Sequence, residues 1–101
     1  AENWLSYYIT KGWFYTYIDV NPCQVDRNIH KAWKVYSRTC SSELDLINYM
    51  LIPAANIYIE LGDRNECIVW LERAVKLCER NSDLDAYNRK WEELEQIIRE
   101  L

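Results

Sequence analysis

The side chains able to do chemistry in this chain are few in kind and poorly spaced for it. His30 is the sole histidine among 101 residues, so no second imidazole stands at ligand spacing for zinc. Cys23, Cys40, Cys67 and Cys78 never fall as C-x-x-C, which withholds both a redox dithiol and a zinc knuckle. Ser41 and Ser42 lack a nearby base and a nucleophile elbow, and helix capping accounts for them. Gly12 and Gly62 are the only glycines, too far apart to build a phosphate-cradling loop. Most carboxylates fall in first helical turns or mix with Arg and Lys, as at Glu92, Glu93 and Glu95, a pattern expected of solvated faces. No catalysis, no metal and no cofactor are expected.

An even cysteine count raises the question of a disulfide framework. Cys67 and Cys78 would lie about 16 Å apart along one helix, too far to bridge. Cys23 and Cys40 are separated in the same way on another helix. Cross-pairs stay open, but buried thiols in a reducing compartment are the expectation, which points to the cytoplasm. No secretory leader is read at the N-terminus.

The elements that must position any site are helices. Half of the residues are apolar and 14 % aromatic, with five Trp and eight Tyr, enough for one core and one domain spanning 1–101. Two Gly and two Pro leave little turn chemistry for a many-stranded β protein. The net charge of −4 divides as +2 over residues 1–41 and −6 over 42–101. Such an acidic balance is expected to leave no basic stripe of the kind nucleic-acid backbones require, so no nucleic-acid partner is expected. No apolar stretch nears the roughly 20 residues that cross a bilayer.

Trp4, Tyr8, Gly12, Tyr15 and Ile18 recur at helical spacing and predict a first helix over 3–19. Asn21-Pro22-Cys23-Gln24 supplies a cap, a first-position proline and a glutamine able to reach back, opening a second helix over 22–39. Its inner face is Val25, Ile29, Ala32, Trp33, Tyr36 and Cys40. Ser42 with Asp45 opens a third over 43–61, lined by Leu44, Ile47, Leu51, Ala54, Ala55, Tyr58 and Leu61. Pro53 inside it predicts a kink or short break between 49 and 53. Gly62 ends that helix, and Asp63 with Glu66 caps a fourth over 64–80, striped by Cys67, Leu71, Ala74 and Cys78. A connection this short forces an antiparallel hairpin. Ser82 and Asp85 open a fifth over 83–101, with the regular stripe Leu84, Tyr87, Trp91, Leu94, Ile98 and Leu101, in which Trp91 is the expected anchor.

Leu51, Ala54, Ala55 and Tyr58, followed by Leu61-Gly62-Asp63 and then Cys67, Leu71 and Ala74, have a spacing that resembles a tetratricopeptide repeat. Ala55 stands where that family's W-x2-L-G-x2-Y pattern has its glycine, and Tyr58 matches the tyrosine. Leu51 replaces the tryptophan, Cys67 replaces the small residue of the second helix, and Glu79-Arg80-Asn81 stands where a proline would follow. The resemblance covers about residues 48–81. Gly12, Tyr15 and Ile18 precede Ala55, Tyr58 and Leu61 by 43 positions each, an echo of the same unit. It implies an all-α fold of five antiparallel helices, two hairpins and a C-terminal cap, wound as a right-handed α-α superhelix.

The first helix carries Trp4, Tyr7, Tyr8, Trp13, Phe14, Tyr15 and Tyr17, more rings than one face can bury. Exposed aromatics with a polar rim often mark a protein contact. The resemblance implies a groove along the first helix of each pair, placing Ile9, Trp13, Tyr17, Asn56 and Glu60 against a partner peptide or helix. The expected function is therefore non-enzymatic: a scaffold or adaptor domain that binds protein. Two other readings stay open, a sensory or regulatory ligand-binding helical domain of a larger protein and a homodimeric assembly module.

Overall fold

A computed structural model describes the backbone of residues 2–101 and side chains from Tyr7 onward; Trp4, part of the expected first stripe, lies outside the described side chains. Among the described residues every regular element is helical: α1 (Glu2–Tyr17), α2 (Pro22–Thr39), α3 (Glu43–Leu46), a π-helical segment (Ile47–Leu51), α4 (Ile52–Glu60), α5 (Arg64–Arg80) and α6 (Asp85–Glu100). α3, the π segment and α4 run on as one rod, so five rods pack together.

The caps form as their residue types dictate. Asn21 accepts from the Gln24 N–H, Ser42 from Asp45 and Asp63 from Glu66. Gln24 does not reach back, because the Asn21 N–H is taken by the Tyr15 carbonyl at 2.9 Å. At the end of α4, Gly62 adopts φ +82, and the N–H groups of Gly62 and Asp63 return to the carbonyls of Ile59 and Tyr58. That is a Schellman turn, which any side chain at Gly62 would strain.

Pro53 acts differently from a simple kink. It has no N–H and its ring crowds the carbonyl four residues back. The chain answers with a wider turn, in which the Ile52 N–H reaches the Ile47 carbonyl, and the helix passes through without a break. Ile47, Met50 and Leu51 of that turn are all buried.

α1 and α4 lie side by side in one layer, α2 and α5 in the other, in a flat body of 42 × 32 × 14 Å. A Cβ on Gly12 would stand 3.1 Å from Ile57 Cδ1 and 3.4 Å from Ile29 Cδ1, so the missing side chain lets α1 settle onto α4 and α2. Tyr58, on α4, donates its hydroxyl to Asp26 of α2 at 2.5 Å, joining the layers. Burial, and then the Asp26 carboxylate, push the Tyr58 pKa well up.

α6 begins at Asp85, two residues later than its Ser82 cap predicts. Ser82 instead offers its carbonyl to the Asn88 side chain, and Leu84 holds the cap position without a side-chain bond. Leu94 is fully buried and Tyr87 nearly so, whereas Trp91 is only partly buried, with its indole N–H 3.4 Å from Glu79. Leu94, not Trp91, is the deep anchor of this helix. Tyr87 also accepts the Leu44 N–H at 3.0 Å, satisfying a first-turn donor of α3. Glu43 completes the seam with Arg80 at 3.2 Å and Asn81 at 3.3 Å.

Candidate functional site

Ile9, Trp13 and Tyr17 follow one another at four-residue steps and share one side of α1. Ile9 and Trp13 lean on the core as partly buried residues, while Tyr17 is 59 % exposed. The Trp13 and Tyr17 rings stack nearly parallel, 5.3 Å between centroids and 3° apart in plane. Partial desolvation, and after it the Glu60 carboxylate that its hydroxyl faces, raise the Tyr17 pKa. Asn56 stands one turn before Glu60 on α4, and both are exposed.

The α1/α4 seam brings these residues together because the two helices run parallel: Gly12 meets Ile57, and further along Tyr17 meets Glu60. Trp13 stacks on Tyr17, Tyr17 interacts electrostatically with Glu60 across the seam, and Asn56 lies one turn before Glu60 on α4. Ile9 lies roughly 12 Å from Tyr17 along the helix axis and belongs to the far end of the surface. The arrangement is an aromatic shelf with a carboxylate and an amide on the neighbouring helix, groups that can contact apolar surface and accept or donate hydrogen bonds.

The remaining rings divide as their number requires. Tyr8 and Tyr15 pack against the core, whereas Tyr7 and Phe14 stay exposed at 48 % and 42 %, and Ile18 more so. Tyr7 and Phe14 stand two turns apart on the outer side of α1, and Ile18 continues their spacing just past its end. Lys11 covers part of that side, its ammonium 4.8 Å from the Tyr7 ring centroid.

Two features escape a reading by single stripes. Trp70 is fully buried, edge-on to Trp33 at 5.7 Å and to His30 at 6.0 Å, and its indole N–H has no hydrogen-bond partner among the described residues. It falls about 100° from Leu71 because α5 meets α2 as well as α4. Asn28 is likewise buried, its amide donating to the Gln24 carbonyl at 2.8 Å.

The thiols are all unpaired, and burial raises the pKa of Cys67 and Cys78; Cys23, expected to be buried, is exposed. Among the described residues no three His, Cys, Asp or Glu side chains converge as a metal site would require, and no helix is long and apolar enough to cross a membrane. The expectation of no basic stripe does not hold on α2. Arg27, Lys31, Lys34 and Arg38 recur at steps of four, three and four, and all are exposed.

No protein-family model, curated protein or solved structure matches this chain.

Proposed function

We propose that this chain is a tetratricopeptide-like adaptor domain that captures a segment of a partner protein on its α1/α4 face, without catalysis. The observation that carries the reading is the Trp13–Tyr17 stack, exposed at Tyr17 and edged by Glu60. Stacking fixes both rings before a partner arrives, so little side-chain entropy remains to be lost on binding. A few rigid aromatic anchors commonly carry most of the affinity of such a surface. Tyr17 and Glu60 also stand 43 positions apart, the interval of the internal echo, as two equivalent helices of successive units would place them. The cytoplasm is the proposed compartment, because unpaired thiols persist there.

Selection of a displayed peptide library on the purified chain tests this reading. Enriched peptides should carry apolar or aromatic residues flanked by a basic or amide group, and Tyr17→Ala should lose them while keeping its helical circular dichroism. Peptides that bind Tyr17→Ala as well as the parent would move the site elsewhere.

A second reading, assembly of two copies through α1, is favoured by the exposed outer stripe of Tyr7, Phe14 and Ile18. Light scattering across concentration decides it: a constant monomer mass excludes it, and a mass that doubles and is restored to monomer by Phe14→Ser supports it.

A further inference from the structure

We infer that the opposite layer, along α2 and its seam with α5, is a second binding face that takes an acidic polypeptide segment. Arg27, Lys31, Lys34 and Arg38 lie along about 16 Å of the α2 surface turned away from Val25, Ile29, Ala32 and Tyr36. None of the four forms an ion pair with a described carboxylate. The single carboxylate of α2, Asp26, is held by the Tyr58 hydroxyl. A protein of net charge −4 thus concentrates on one helix four cations without a described carboxylate partner, of which Lys31 also lies over the Tyr8 ring at 6.0 Å from its centroid.

Arg73 of α5 adds a fifth cation at the seam. Its guanidinium stacks over Trp70 at 4.5 Å and over Trp33 at 5.0 Å from the ring centroids, and it too lacks a carboxylate partner among the described residues. The two rings stand 74° apart, so the fork can lie flat on only one of them; contact with both limits its movement while N–H groups turned away from the rings can meet a carboxylate. Arg73 only partly borrows from packing, because long cationic stems cover apolar surface while the head stays in water.

The chemistry favours an acidic polypeptide over a nucleic acid. Single-stranded nucleic acids need open aromatic faces on which bases stack, and here Trp70 is buried and Trp33 is partly covered by Arg73. The net negative charge of the whole chain opposes a long phosphate polymer more than a short acidic segment. A helix with glutamates at steps of four, three and four would meet the α2 stripe charge for charge. No residue is shared with the α1/α4 face, so this inference stands apart from that reading.

Fluorescence anisotropy with a labelled alanine-rich peptide bearing glutamates at those steps tests it. The parent chain should bind this peptide, bind its glutamine counterpart at least tenfold more weakly, and lose affinity as salt rises. The Lys31→Glu/Lys34→Glu variant should lose at least tenfold with unchanged circular dichroism. The milder Lys31→Gln/Lys34→Gln pair should lose less but measurably, again with unchanged circular dichroism. Equal binding of glutamate and glutamine peptides, no effect of either double variant, or tighter capture of an oligothymidylate of similar charge would overturn the inference.

Discussion

The two terminal helices, α1 and α6, are each sixteen residues long and each packs on its neighbouring rod, yet they treat their outer sides in opposite ways. α6 buries Leu94 and Tyr87 and sets Arg89, Glu92, Gln96 and Arg99 on its outer side, with Ile97 the one large apolar side chain exposed along it. α1 buries Gly12 and Thr16, leans Ile9 and Trp13 on the core, and leaves Tyr7, Phe14 and Tyr17 exposed. A charged outer side costs nothing in water and closes the stack. An aromatic outer side is retained at the expense of solubility, and that difference is the ground for proposing α1 rather than α6 as the binding helix.

Substitutions sharpen this contrast, and the largest effect should come from the closed end. Leu94→Ala removes a fully buried side chain and should lower the unfolding free energy by about 2–5 kcal/mol in a urea titration. A loss below about 1 kcal/mol would mean that α6 is not docked. Gly12→Leu tests how closely α1 sits on α4, because its first carbon already meets Ile57 at 3.1 Å. Overpacking there should cost about 1–3 kcal/mol and should disturb the Trp13–Tyr17 shelf as well.

A smaller change should follow from Tyr58→Phe, which removes the hydroxyl bonded to Asp26 and should cost about 1 kcal/mol at neutral pH. Its pH dependence has a definite sign. The folded Tyr58 holds its proton above the ordinary value of 10.0, so the unfolded chain loses that proton first. The stability it contributes is complete below about pH 10 and declines as pH rises beyond it. The gap between parent and Tyr58→Phe should therefore narrow in alkaline unfolding; a constant gap would detach the raised pKa from folding.

The smallest effect belongs to the exposed rings. Phe14→Ser should change stability by no more than about 0.5 kcal/mol, as surface substitutions do, and a loss several times larger would place Phe14 in the core.

Much of this fold was legible in the sequence because caps and stripes are local. Asn21, Ser42, Asp63 and Gly62 mark helix ends by chemistry that needs no tertiary partner. What stayed hidden depends on neighbours. Trp70 lies off its stripe because α5 touches two helices, and Ile57 is buried where Gly12 of α1 settles onto α4. Pro53 announces a disturbance, but its resolution as a π turn is set by the packing of Ile47, Met50 and Leu51. Trp91 outranks Leu94 in size, and only the position of α6 on α5 shows which of them is enclosed. Of the candidate face, the four-residue steps of Ile9, Trp13 and Tyr17 were readable, whereas the approach of Glu60 to Tyr17 required the α1/α4 seam. The α2 stripe was obscured by summing charge over half the chain rather than along one helix.

The most direct test of the contrast between α1 and α6 is a nitrogen-15 NMR titration of the chain with a library-selected peptide. The largest shifts should fall on Trp13, Tyr17, Asn56 and Glu60, with Ile9 at the margin and α6 unmoved. Shifts centred on α6, with the Trp13 indole and the Glu60 amide unchanged, would contradict that contrast.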